Sequence, residues 1–138
     1  MSTKEDIIEF LVREFPQNKC VIEAVGTGAA TVIHPVDSDH LRPGGTVSGP
    51  LLMTVADVAI YVVILGTIGI VPLAVTTSLT INFLRKPAAD KAIIGNCKLI
   101  KVGRSLIVGE VTLHSLGDDA MVAHAVGTYS VPPEARIP

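Results

Sequence analysis

Hydrophobic residues change period several times along this chain, and each change marks an element. Between Thr3 and Phe15 apolar side chains fall at Ile7, Ile8, Phe10, Leu11 and Phe15, with acids placed early. That pattern predicts a short amphipathic helix, capped by Ser2 or Thr3 and ended by Pro16 and Asn18. Cys20 to Pro35 is rich in Val, Ile, Thr and Ala, and Gly26–Gly28 interrupts it, which predicts two strands about a turn or bulge. Val36 to Pro50 carries the breakers DSDH, RPGG and GP and predicts a loop. Leu51 to about Leu65 is apolar nearly all round and predicts the one long helix. Pro50 suits its first turn, where a missing N–H is no loss, and Gly66 and Gly69 loosen its far end.

After Pro72 the period becomes two. Thr76, Ser78, Thr80 and Asn82 alternate with Thr77, Leu79, Ile81 and Phe83, predicting a strand with two distinct faces and Thr76 and Ser78 on the same one. Pro87 to Asp90 turns the chain. Ala92–Lys101, Leu106–His114 and Met121–Val131 follow as strands, joined by Val102–Gly103–Arg104–Ser105 and by the Gly117–Asp118–Asp119 turn. The expected order is helix, two strands, central helix, then four strands in meander, all within one domain spanning 1–138. One apolar helix followed by long antiparallel strands predicts an α+β fold whose sheet curls around the helix.

Composition sharpens this picture. Hydrophobic residues make up 49% of the 138 and charged residues 17%, with aromatics at only 4%, so the apolar mass is aliphatic. That is more than one small core absorbs, and the excess predicts burial against another copy of the chain. A net charge of −2 with no basic cluster argues against nucleic acid or an anionic membrane as partner. Leu51 to Val75 is long enough to span a bilayer, but Asp57 lies within it, Gly66, Gly69 and Pro72 break it, and its flanks lack a Lys/Arg asymmetry. A buried helix is the reading that survives. The polar, acidic start at Met1–Asp6 does not read as a signal peptide. Cys20 and Cys97 are far apart, form no CxxC and read as reduced core thiols of a cytoplasmic protein.

The chemistry concentrates in GTVSGPLLMTVAD, residues 45–57, where a single carboxylate stands among leucines, valines and alanines. This stretch, with VTTSLTINFLRKPA at 75–88 and VGRS at 102–105, resembles the hotdog-fold thioesterases of the phenylacetate-pathway, PaaI-like, group. The resemblance runs from about His40 to the end. In that family an Asn and then Gly-x-x-His-Gly-Gly precede the hotdog helix, and an acid lies inside it. Gly49 and Asp57 match at the family's spacing; Ser48 stands where the family has His, Pro50 where it has the second Gly, and Arg42 where it often has Asn. The resemblance implies one antiparallel sheet around a central helix at about 51–65, with the 3–15 helix added. It implies edge-to-edge dimers or tetramers with the site at the dimer interface, and hydrolysis of an acyl-CoA to free acid and CoA without cofactor.

Thioester hydrolysis needs an activated water or a nucleophilic carboxylate, and a stabiliser for the oxyanion. The resemblance gives the first role to Asp57; read from the residues alone, Asp57 is sooner a structural acceptor for hydroxyls such as Thr54. Gly49, where the chain enters the helix, offers a backbone N–H with the positive end of the helix dipole behind it. The resemblance implies that Thr76 and Ser78, with Thr77 between them, reach across from the partner chain to orient water or substrate; read alone they are ordinary strand hydroxyls. Arg85, Lys86 and Arg104, the last in a Gly103–Arg104 turn, are cations suited to the phosphates of coenzyme A, or simply solvated charges. Arg42 suits a substrate carboxylate or an ion pair with Asp37 or Asp39; Ser48 and Pro50 line the substrate loop. His34, His40, His114 and His124 fall at no metal spacing, so no metal is expected. A Gly-x-Ser-x-Gly elbow, a Rossmann pattern and a P-loop pattern are all missing. Two rivals share the fold: a protein that binds acyl-CoA without cleaving it, and a dehydratase or hydratase, whose Asp and His pair is not found here.

Overall fold

The computed structural model describes residues 2–132. Helix α1 (Lys4–Glu14) starts at a reciprocal cap in which Thr3 and Asp6 each accept the other's backbone N–H, and it buries Ile7, Phe10 and Leu11. Strands β1 (Val21–Gly26) and β2 (Ala29–His34) form a hairpin, with Gly28 at φ +80° in its turn. The following loop contains a short 3₁₀ turn (Ser38–His40) and a small hairpin of β3 (Leu41–Arg42) and β4 (Thr46–Val47).

Helix α2 (Gly49–Ile68) is longer than its apolar run predicts, at both ends. It begins at Gly49 because Ser48 caps it, the Ser48 hydroxyl accepting from Leu51 N–H. It runs through Gly66 because that glycine is a contact site: a Cβ there would lie 2.6 Å from Val25 Cγ2. The helix is long and apolar enough to cross a membrane by length and composition, and most of it is buried by the protein's own sheet.

That sheet has six strands, all antiparallel, in the order β1-β2-β6-β7-β8-β5, with β5 (Val75–Phe83), β6 (Ile93–Val102), β7 (Leu106–Ser115) and β8 (Met121–Ser130). The expected four-strand meander holds only for β6, β7 and β8. β5 does not pair with β6; it crosses to the far edge and pairs with β8, while β2 takes the place beside β6. α2 can approach the sheet closely because small residues floor the groove: at Gly127 a Cβ would meet Ile60 Cδ1 at 2.6 Å. One edge of the sheet is therefore β5, most of whose residues are exposed.

A candidate active site divided between two clefts

Asp57 lies two turns into α2, half-buried, and its carboxylate is held from the sheet. Thr76 Oγ1 on β5 donates to Asp57 Oδ1 at 2.6 Å, and the Tyr129 hydroxyl on β8 donates to the same oxygen at 2.8 Å. The Tyr129 hydroxyl also lies 3.0 Å from the Asp57 carbonyl oxygen. Thr54 is not a partner; its hydroxyl turns back to the Pro50 carbonyl. Tyr129 is buried and its ring stacks on Tyr61, with centroids 6.0 Å apart. Burial, reinforced by the neighbouring Asp57 carboxylate, pushes the Tyr129 phenol well above its ordinary pKa, so it remains a donor. α1 contributes Phe10, tilted against Tyr61. A cleft of about 430 Å³ opens beside these groups, with Asp57, Thr76, Tyr61 and Phe10 among its walls.

Gly49 belongs to a different cleft, of about 270 Å³, with Phe83, Arg85 and Lys86 among its walls. The Phe83 ring lies over the helix entrance, so that a Cβ at Gly49 would be 3.3 Å from Phe83 Cζ. The Gly49 N–H has no acceptor among the described residues. Eight residues of α-helix rise about 12 Å, so Gly49 and Asp57 of one chain cannot act on the same carbonyl group. The two clefts share no wall residue.

The other expected site residues sort to one end or the other. Pro50 follows Gly49 in the first turn of α2, and Arg42 is exposed in the β3–β4 hairpin just before it, paired with Thr46. Asp37 is engaged by His40 and by its own turn, not by Arg42. Gly103 and Arg104 lie at the Asp57 end: their hairpin leads into Leu106, which pairs with Ser130, the residue that Val75 pairs with from the other side. Gly103 is required there, since its N–H bonds Leu106 O at 2.9 Å and a Cβ would approach that oxygen to 2.8 Å.

The expectation for Ser78 is corrected. The pairing of β5 with β8 slips between Thr76, opposite Tyr129, and Ser78, opposite Thr128, leaving Thr77 as the extra residue of a bulge. Thr77 bonds the Thr128 carbonyl. The slip reverses the alternation, so Thr76 turns toward the helix with Tyr129 while Ser78 sides with Thr128 on the opposite face. Tyr129 itself was not among the expected site residues. Its signal is faint but present: β8 alternates Ala123, Ala125, Gly127 and then Tyr129 on its inner face, a lone phenol among small side chains.

The sequence model of the thioesterase superfamily matches residues 44–122, which include Gly49, Asp57 and all of β5. The chain belongs to that superfamily, and its architecture is the hotdog fold. Among solved structures, a protein assigned as a thioesterase from Silicibacter sp. TM1040 is 41% identical, covering 95% of this chain and 92% of that one, with a TM-score of 0.87. The E. coli PaaI protein from the phenylacetic acid degradation operon shares the fold at TM-score 0.76 and 20% identity, over 92% of this chain and 94% of its own. The smu.793 protein of Streptococcus mutans, in a structure bound to acetyl-CoA, does so at TM-score 0.73 and 23% identity, over 83% and 90%. No protein of curated function matches the chain significantly.

Proposed function

We propose that this protein hydrolyses an acyl-CoA thioester to free acid and CoA, with Asp57 as general base or nucleophile. The observation that carries the reading is the state of its carboxylate: two hydroxyls occupy Oδ1, and Oδ2 has no partner among the described residues. As a base, Oδ2 takes a proton from water as the water oxygen attacks the acyl carbon; as a nucleophile, it attacks directly and water then cleaves the anhydride. Either way the carbonyl oxygen becomes an oxyanion, CoA leaves as the thiolate, and water is the only co-reactant. No cofactor is called for.

The oxyanion donor is the Gly49 N–H of a second copy. β5 presents a free edge, and a twofold axis through Leu79 would pair Thr76 with Asn82 of the second copy. The Asp57 end of one chain then faces the Gly49 and Phe83 end of the other. Such a dimer gathers Arg104 from one copy with Arg85 and Lys86 from the other, where the phosphates of CoA would lie. The acetyl-CoA bound by smu.793 supports this choice of substrate class. Thr76 orients the carboxylate; Pro50 and Arg42 shape the approach, while the hydroxyls of Ser48 and Thr77 hold the backbone around it. Two buried free thiols, Cys20 and Cys97, fit a cytoplasmic protein.

A second reading, binding of acyl-CoA without cleavage, is favoured by one fact: the Ser48 hydroxyl caps α2 and is not directed at a substrate. One experiment separates the two. Wild-type protein given a panel of acyl-CoAs should release free thiol, and Asp57→Asn should not; binding of acyl-CoA by an inert wild-type protein establishes the alternative.

A further inference from the structure

Resting on the hydrolytic reading, we infer that Tyr129 is a positioning residue for the Asp57 carboxylate, fixing Oδ1 so that Oδ2 is the reactive oxygen. The two donors to Oδ1 differ in kind. Thr76 stands on the edge strand at the mouth of the cleft, whereas Tyr129 is buried on an inner strand and stacked on Tyr61. Tyr129 also touches the helix backbone at the Asp57 carbonyl, so carboxylate and helix are referenced to one fixed point on β8. A carboxylate at the mouth of a cleft otherwise rotates about χ2, exchanging its oxygens. With one oxygen saturated by two donors, rotation breaks both bonds, and the second oxygen faces the cleft as the proton acceptor. The Tyr61 hydroxyl takes no part, because it bonds the Pro72 carbonyl. Tyr129 forms part of the wall of the same cleft, and with its hydroxyl committed to Asp57 it acts through that carboxylate.

Tyr129→Phe keeps the ring stack and removes only the hydroxyl. We expect kcat to fall about ten- to a hundredfold, within the range for disturbing a positioned base, while KM moves less than about twofold. Unchanged kcat, or a raised KM with kcat kept, overturns the inference. A second readout does not depend on turnover. The Tyr129 hydroxyl proton should appear in the ¹H NMR spectrum as a protected, downfield resonance, because it donates to a carboxylate. Asp57→Asn supplies a neutral acceptor and should move it upfield; a resonance indifferent to that change also overturns the inference. An inert wild-type protein whose resonance responds to Asp57→Asn would sink the hydrolytic reading and leave the clamp standing. If Tyr129→Phe does not fold, replacing tyrosine with 3-fluorotyrosine strengthens the donor in place. kcat must then change with KM held, and no change counts against the proposal.

Discussion

The ring of Phe83 covers Gly49: a Cβ built on that first residue of α2 would sit 3.3 Å from Phe83 Cζ. Contact this tight leaves room for a backbone N–H and little else, which suits a donor aimed at a developing oxyanion. Phe83 is itself more than half exposed, so its ring can give way. Gly49→Ala should therefore cost about 1 kcal/mol of stability or less, while lowering kcat/KM about tenfold or more through the crowded donor. Thermal melts and steady-state kinetics on the same preparation test the pair; a full-rate alanine variant would remove Gly49 from the site.

Packing of α2 onto the sheet makes a second claim. At Gly127 a Cβ would meet Ile60 Cδ1 at 2.6 Å, with Leu79 Cδ1 at 3.2 Å behind it. Ile60 is fully buried, so its end methyl has nowhere to go. Gly127→Ala should destabilise by about 1–3 kcal/mol. Ile60→Val removes the colliding methyl, and the double variant should be less damaged than the sum of the singles. Denaturant melts of all four proteins measure this coupling, and strict additivity would refute it.

His34 makes stability depend on pH. It is buried at the end of β2, and that burial holds its pKa below the ordinary histidine value, assisted by the His40 ring and opposed by the Pro35 carbonyl and Asp37. A histidine whose folded pKa is depressed contributes stability that is complete above its unfolded pKa and lost as pH falls through the folded one. The melting temperature should therefore drop as pH falls below about 6.5, the unfolded value. In His34→Phe the drop over this window should shrink. An equal drop in both proteins would place the sensitivity elsewhere.

Both thiols are held out of reach in the same way. Burial pushes Cys20 and Cys97 up to about 12, so the thiolate is scarce in the native state. A thiol-reactive dye at mildly alkaline pH should label neither in the folded protein and both in denaturant. Rapid native labelling would contradict the burial of Cys20, just before β1, and of Cys97, within β6.

Elements with an uninterrupted period were legible in the sequence. α1, the β1–β2 hairpin, β5 and the three late strands all lie close to where their hydrophobic patterns put them, and the Ser48–Gly49–Pro50 entrance marked the start of α2 to within two residues. The strand order was not legible. After a long helix nothing in the pattern of β5 says which edge of the sheet it joins, and here it takes the edge beside β8. Gly66 misled because a glycine that breaks a helix and a glycine that admits Val25 look alike in one dimension. The bulge at Thr77 adds one residue to β5 and so reverses which hydroxyls face the helix, which is why Thr76 reaches Asp57 and Ser78 does not. Tyr129 lay 72 positions from Asp57, and only the antiparallel return of β8 brings the two together.

Asp57 and Gly49, too far apart to cooperate within one chain, are proposed to meet across two. Mixing subunits tests this most directly. Asp57→Asn and Gly49→Ala proteins are unfolded, combined in equal amounts and refolded, then assayed with acyl-CoA. If the site is shared, half of the dimers are mixed and each contains one intact site, so activity should recover to about a quarter of wild type. Activity no greater than the mean of the two variants assayed separately would contradict the account.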